Sequence, residues 1–527
     1  MFHRPIPFWF GTVLITVGVF SHLPMFLMGR ATGWQMVGME MTPEMWVGML
    51  LIPLGLLLAW RGLVPRLPAV AEQGGALNFH VADSAPLQRE HWKLVIVLVV
   101  TLAVDVMKPA TLGFVMPGVS REYEIARSQA GWLALVALTG TTVGSVLWGR
   151  IADRLGRRAA ILLSALMFIG TAICGAMPSF GWNLAMCFLM GASAGGLLPI
   201  TFTLLAETVP ARHRGWLLVA LGGIGTSAGY LLASGAAAWL EPLYGWRMLW
   251  LLGLPTGALI IFLNRYIPES PRFLAASGRR AEALATLRRF AGTSRPLEPD
   301  SPAHPGPQGI DERHPVSTVR QLLHGRQASI TLALLACGTG WGLVNFGFLL
   351  WLPSNLKLLG VDPTTSSALL AKSAFYGIPA IALVIALYDR WSSVRSLALF
   401  TALSAVSLVL FGALAAIGTP SPGWVLGATV LLLVSVSGVI AMLIPYAAEI
   451  YPVHLRGTGS GVVAASSKFG GILGAGLAVL GFFDNFVLSA LVLALPMAAA
   501  ALMLARSGVE TRGFKLEEIQ DALAGRP

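Results

Sequence analysis

The chain of 527 residues is 55% hydrophobic and only 12% charged, with a net charge of +11 and a mean hydropathy of +0.72. A water-soluble domain carries about 25% charged residues, so the composition excludes one and points to a polytopic membrane protein whose helices pack within lipid. The positive charge lies in short loops between apolar runs, where the positive-inside rule accounts for it without a nucleic-acid partner.

Taken in order, the first unit is 1–62, with two apolar runs at roughly 8–28 and 45–60. No small-residue cleavage site follows the first run, so it reads as a retained anchor and not a signal peptide. The loop between the runs is rich in methionine: Met36, Met39, Met41, Met45 and Met49 face His22, Met25 and Met28 on the preceding run. Thioethers with one imidazole suit monovalent copper, but methionine is equally ordinary helix-packing material. Residues 63–92, with Pro65, Pro68, Gly74, Gly75 and Pro86, read as a cytoplasmic linker.

Twelve further runs of spanning length follow, six in a unit at 93–267 and six in a unit at 328–505. The hydrophilic stretch 268–327 separates them. Its front half, Arg279 to Arg289, has helical spacing and is expected to lie along the membrane surface. Its back half, with Pro296, Pro299, Pro302, Pro305 and Pro307, reads as a flexible linker, and 506–527 as a tail. Fourteen spans leave both termini on one side, and most loop arginines fall on that side, which is therefore expected to be cytoplasmic.

Between the second and third runs of the body lies Gly149-Arg-Ile-Ala-Asp153-Arg154-Leu-Gly156-Arg157-Arg158, a basic turn that forces two spans into antiparallel contact. Gly149 and Gly156 would permit close backbone approach, and Asp153 can pair with the arginines. A second pattern occurs twice: Ala206-Glu207-Thr-Val-Pro210 to Arg214-Gly215 returns as Ala448-Glu449-Ile-Tyr-Pro452 to Arg456-Gly457, with 449 − 207 = 242. Salt bridges among Glu207, Arg214 and the arginines of the basic turn, with Glu449 and Arg456 in the other half, could hold the ends of the helices together in one state and release them in another. Static capping is the alternative.

The signature loop and the repeated turn resemble those of the major facilitator superfamily of secondary transporters. Pro268-Glu269-Ser270-Pro271-Arg272 is similar to a turn of its sugar porters. Trp351-Leu-Pro353 and the glycine-rich Gly191 to Pro199 are similar to segments of its aromatic acid:proton symporters. The resemblance implies an all-α polytopic fold: two pseudo-repeated six-helix halves, here preceded by two extra N-terminal transmembrane helices. It also implies a solute site between the halves, reached by alternating access. Where the aromatic acid symporters carry two acids in the first body span, this chain keeps Asp105 and has Lys108 in place of the second.

Charges deep in a span cost at least ~2.5 kcal/mol and normally face a partner or a wet cavity. Asp105 and Lys108 are three apart on one helical face. They could form a structural pair, or Asp105 could exchange a proton while Lys108 attracts an anion. Lys468, after the small residues Ala464 to Ser467, could hold a carboxylate jointly with Lys108, or pair with another helix. Asn345 and Trp341 on one face of the seventh body span, and Tyr376 on the eighth, are candidates for hydrogen bonds and a flat aromatic wall.

The resulting expectation is a proton-coupled transporter of a small organic, possibly aromatic, carboxylate in the inner membrane. A sugar or drug-like solute is the nearest alternative, and a non-transporting sensor or partner-binding subunit the next. No phosphate-binding loop, metal-spaced His/Cys set or nucleophile–base pair is evident, so no catalytic residue, metal or cofactor is expected. Cys174, Cys187 and Cys337 lie inside apolar runs and read as packed thiols.

Overall fold

The computed structural model describes residues 4–64, 85–291, 322, 325–356, 363–417, 421–451 and 453–511. The proline-rich linkers, Lys357 and most of the tail lie outside the described residues, as does the side chain of Arg456. Among the described residues there is no strand, and fourteen helices are long and apolar enough to cross a membrane. They are α1 (Pro5–Thr32), α2 (Pro43–Leu63), α3 (Arg89–Glu122), α4 (Arg127–Leu155), α5 (Arg157–Ala176), α6 (Phe180–Thr208), α7 (Arg212–Tyr244), α8 (Met248–Tyr266), α9 (Gln327–Leu356), α10 (Thr365–Arg390), α11 (Ser393–Ile417), α12 (Pro422–Ile450), α13 (Gly459–Val479) and α14 (Phe486–Ser507). The chain is a multi-pass membrane protein.

The helices outrun their apolar stretches because polar residues cap them. Hydropathy ends the first body span near 93 and 117, yet α3 runs from Arg89 to Glu122. At its start the backbone N–H of Gln88 donates to His91 Nδ1 at 3.1 Å, satisfying a donor that an uncapped helix would leave bare.

Within lipid, helices associate where small residues let backbones meet. Gly140 and Gly191 do this for α4 and α6. A methyl group on either would overlap a carbonyl oxygen of the opposite helix, Phe188 O for Gly140 and Ala137 O for Gly191. Helix α6 breaks at Gly195-Gly196 into Phe180–Ala194 and Leu197–Thr208, which exposes a second helix start in mid-span. Helix α9 carries a π-helical turn over Leu343–Leu349, and α5 tightens to a 3₁₀ helix over Thr171–Ala176.

The helix Arg280–Ala291, expected on the membrane surface, packs instead on the start of α3. Arg289 pairs with Glu90 at 2.5 Å, Gln88 Nε2 donates to Ala291 O at 3.1 Å, and Phe290 meets the His91 ring. Its apolar stripe of Ala283, Leu287 and Phe290 is buried against protein, which satisfies the amphipathic pattern without lipid.

The extra pair α1–α2 is a hairpin against α5, where Gly170 leaves room for Ile52. Its loop docks on the body: Met36 N–H donates at 2.6 Å to Glu122, which also pairs with Arg247 at 2.8 Å and accepts from Trp246 Nε1 at 2.8 Å. Arg247 is fully buried there. Met25, Met36 and Met45 are buried in the core, and the three cysteines are buried free thiols.

Candidate functional site

A cavity of about 190 Å³ lies between the halves, walled by α3, α4, α6 and α7 on one side and α9, α12 and α13 on the other. Asp105 on α3 and Lys468 on α13 both line it. Asp105 is 4% exposed, and its Oδ1 has no hydrogen-bond partner. Its polar surroundings are the backbone of Leu198, at the second helix start within α6, and the Lys468 ammonium across the cavity. The break at Gly195-Gly196 thus turns a positive helix end toward an acid. Lys468 follows Ser466 and Ser467, whose hydroxyls donate back to Val463 O and Ala464 O at 2.7 Å. Lys468 itself has no hydrogen-bond or ion-pair partner among the described residues.

The remaining walls are aromatic and apolar. Trp341 is fixed by donation from its Nε1 to Val436 O at 2.8 Å, tying α9 to α12. Asn345 and Phe346 sit on the π-helical turn of α9, and Phe346 stands edge-on to Trp341 at 5.8 Å. Such turns widen a helix locally and are frequent at functional sites. Tyr230 of α7 lines the same cavity with a buried hydroxyl that has no partner. Tyr230 is not among the residues expected from the sequence. Its signal was the cluster Thr226-Ser-Ala-Gly229-Tyr230 inside an otherwise apolar run.

Two expected site residues lie elsewhere. Lys108 does not pair with Asp105 and does not line the cavity. Its ammonium donates to Phe168 O at 2.6 Å and Thr171 Oγ1 at 2.7 Å, over the Phe168 ring. The carbonyl end of the α-helical part of α5 attracts it, and three-residue spacing on α3 does not compel a pair when a neighbouring helix offers better acceptors. Tyr376 on α10 is 57% exposed, packs on Phe375 and does not line the cavity.

At the signature loop, Arg157 reaches Glu207 at 3.3 Å and Asp153 at 3.6 Å. Arg158 donates to Asn264 at 2.7 Å, and Arg154 is exposed. Glu269, visible in the sequence only as part of the Pro268–Arg272 motif, accepts the backbone N–H groups of Arg157 and Arg158 at 2.8 and 3.3 Å. Gly156 permits this: its φ is +101°, and any side chain there would overlap the Glu269 carboxylate. Burial holds the Glu269 carboxyl above its ordinary range, against the opposing pull of these donors. Gly149 does not serve close approach as expected; a methyl group there meets nothing within 4 Å, since the packed face of this end of α4 is the one carrying Trp148, Ile151, Ala152 and Leu155. Arg214 donates to Val209 O at 3.4 Å, while Glu449 accepts from Tyr388 at 2.9 Å and Thr511 at 2.7 Å.

The halves are joined at the end opposite the signature loop. Arg127 on α4 donates to Asn355 at 2.7 Å and lies over the Trp351 ring, while Gly113 of α3 meets the Leu350 carbonyl. At the signature end a side chain on Gly149 or on Gly461 of α13 would meet open space, and the Asp153 side chain is 76% exposed.

Residues 94–475 match the sequence model of the Major Facilitator Superfamily. The chain is 29% identical to the niacin transporter NiaP of Acinetobacter baylyi, over 83% of this chain and 98% of that protein. It is 30% identical to the 4-hydroxybenzoate transporter PcaK of Pseudomonas aeruginosa, over 84% and 97%. In fold it resembles a partially occluded inward-open structure of the xylose transporter XylE from E. coli, with a TM-score of 0.64, 17% identity, and coverage of 81% of this chain and all of that one.

Proposed function

Since the chain belongs to the Major Facilitator Superfamily, we propose that it carries single-ring aromatic carboxylates across the inner membrane, coupled to protons, by alternating access. The observation that carries this reading is the cavity in which Asp105 of one half faces the partnerless Lys468 of the other between aromatic walls. An ammonium in an apolar cavity calls for an anion, and Trp341, Phe346 and Tyr230 supply flat surfaces for a ring. The small volume suits one ring better than a drug-sized solute, whose pockets run to about 300–1,000 Å³. Similarity to proteins named for niacin and 4-hydroxybenzoate supports the same class.

Charge balance supplies the coupling. With Asp105 ionised and Lys468 protonated the cavity is neutral. A carboxylate that takes Lys468 leaves one excess negative charge in a low-dielectric site, and a proton on Asp105 removes it. Solute and proton then move together. Binding of the solute to groups on both halves draws α3 and α13 together, while the Arg127–Asn355 contact must break for the far end to open. Arg157, Glu207, Asp153 and Glu269, with Arg214 and Glu449 beside them, act as the gate at the signature end. The arginine-rich loops orient that end, and both termini, toward the cytoplasm.

The test is uptake into proteoliposomes holding the purified protein, with 4-hydroxybenzoate, nicotinate and xylose as solutes and an imposed pH gradient. Accumulation of an aromatic acid driven by the gradient supports the reading. Accumulation of xylose with no response to either acid would overturn it.

A further inference from the structure

A second cavity of about 180 Å³ lies at the signature end, away from the solute cavity and independent of the transport reading. It is bounded by the signature loop, the two short helices Pro271–Ala276 and Arg280–Ala291, and Leu63, the last residue of the extra hairpin. Arg158, Arg279 and Arg289 line it. Each guanidinium spends the same edge, Nε and Nη2, on a protein partner. Arg158 holds Asn264 at 2.7 and 3.1 Å, Arg279 holds Glu282 at 2.8 and 2.6 Å, and Arg289 holds Glu90 at 2.7 and 2.5 Å. The third nitrogen, Nη1, is left without a protein partner among the described residues in all three.

Two acids also border the cavity, and both are engaged. The Glu269 oxygens take the N–H groups of Arg157, Arg158 and Ser270, and Glu282 takes Arg279. The lining therefore brings three arginines, each with one unengaged nitrogen, around one polar space, with Leu63, Leu155 and Leu162 on its apolar side. Arginine forks match the oxygens of a tetrahedral phosphate, and basic pockets between helices at the cytoplasmic face bind phosphate-bearing head groups.

We propose that this cavity is a binding site for a phosphate group, held by the free Nη1 corners of Arg158, Arg279 and Arg289 and roofed by the end of α2. The phosphate is that of a phospholipid head group, whose chains would run along the leucine side, or of a small phosphate-bearing solute from the aqueous phase. The site gives the extra hairpin a task that the twelve-helix body lacks, since Leu63 lies outside the residues that match the family.

The experiment is thermal unfolding of the delipidated full-length protein, titrated with inorganic phosphate or with short-chain phosphatidylglycerol. Chloride at matched ionic strength and the corresponding diacylglycerol are the controls. A saturable rise in midpoint with either phosphate probe, absent with both controls, is expected. The apparent affinity should fall at least about tenfold in the double variant Arg279→Gln, Arg289→Gln and in Thr286→Trp, which fills the cavity without changing charge. Phosphatidylglycerol binding far more tightly than phosphate would identify the head group as the source, and equal affinities would identify the soluble one. Stabilisation by neither probe, or stabilisation unchanged in Thr286→Trp and in the double variant, would overturn the proposal. A cooperative melt and helical circular dichroism equal to wild type show that the variants are folded, whatever solute the transport cavity takes.

Discussion

Glu269 and Glu510 occupy equivalent places in the two halves. Each follows the last span of its half and turns its carboxylate onto the start of that half's third span. Glu269 accepts from the backbone of Arg157 and Arg158, while Glu510 accepts from the backbone of Ser393 at 3.0 Å and from the hydroxyls of Ser392 and Ser393. Their separation, 510 − 269 = 241, nearly matches the 242 between Glu207 and Glu449. An acid at a helix start satisfies bare N–H groups and meets the positive end of the helix dipole. Both turns are thereby clamped within their own half, so each half can move as one body.

The clamp predicts a pH signature. The Glu269 carboxyl sits above its ordinary range because it is buried, so the folded protein holds that proton more tightly than the unfolded chain does. Its contribution to stability therefore rises as pH falls through the folded-state value, and is fully gained once pH is below the ordinary carboxylate range. Wild type should gain in melting midpoint over Glu269→Gln as pH is lowered from neutrality to below the ordinary carboxylate range. A difference between the two that stays flat across that range would refute the assignment. Glu510→Gln, which loses charge-assisted bonds, should cost about 1–3 kcal/mol.

Asp105→Asn should abolish accumulation driven by a pH gradient while sparing solute exchange, because the amide cannot carry the balancing proton. Counterflow and gradient-driven uptake in the same proteoliposomes separate these. Gradient-driven uptake equal to wild type would remove Asp105 from the coupling step.

The two buried lysines should behave differently. Lys468→Met should weaken aromatic-acid binding at least about tenfold, a loss of roughly 1.4 kcal/mol or more, with little effect on the protein without solute. Lys108→Met should leave solute affinity near wild type but lower stability by about 1–3 kcal/mol, since Phe168 O and Thr171 Oγ1 lose their donor. Ligand-dependent thermal shifts of both variants give both numbers. The reverse pattern would place the anion at Lys108.

Arg127→Ala removes the bond to Asn355 and the contact with Trp351, which join the halves at the far end. It should raise the population open at that end. A single cysteine at the partly buried Pro109, which lines the cavity on the first body span, should be labelled faster there by an impermeant thiol reagent in right-side-out vesicles. Unchanged labelling would mean that other contacts keep the far end shut.

The fourteen spans were legible because lipid imposes one demand on every helix, and run length reports it directly. The repeated glutamate turn was legible for a similar reason, being local and polar. The site was only partly so. Asp105, Lys468, Trp341 and Asn345 were readable as polar or aromatic residues in mid-span, and they do line one cavity. Lys108 looked equivalent from the sequence, yet its direction was settled by a carbonyl on α5, 60 residues away. Tyr376 and Tyr230 are both tyrosines in apolar runs, and only the rotation of each helix against its neighbours separates an exposed ring from a cavity-lining one. The break in α6 and the π-helical turn in α9 depend on packing between helices, which periodicity within one helix does not encode.

The docking of Met36 onto Glu122 and Arg247 has a further consequence. It makes α1 and α2 part of the N-terminal half, which then presents eight membrane-embedded helices against six in its partner. A wider body meets more viscous resistance from the surrounding lipid. In the alternating access proposed above, rotation of the halves against one another would divide in inverse proportion to that resistance. The C-terminal half, carrying Lys468, would then turn further than the wider half that carries Asp105.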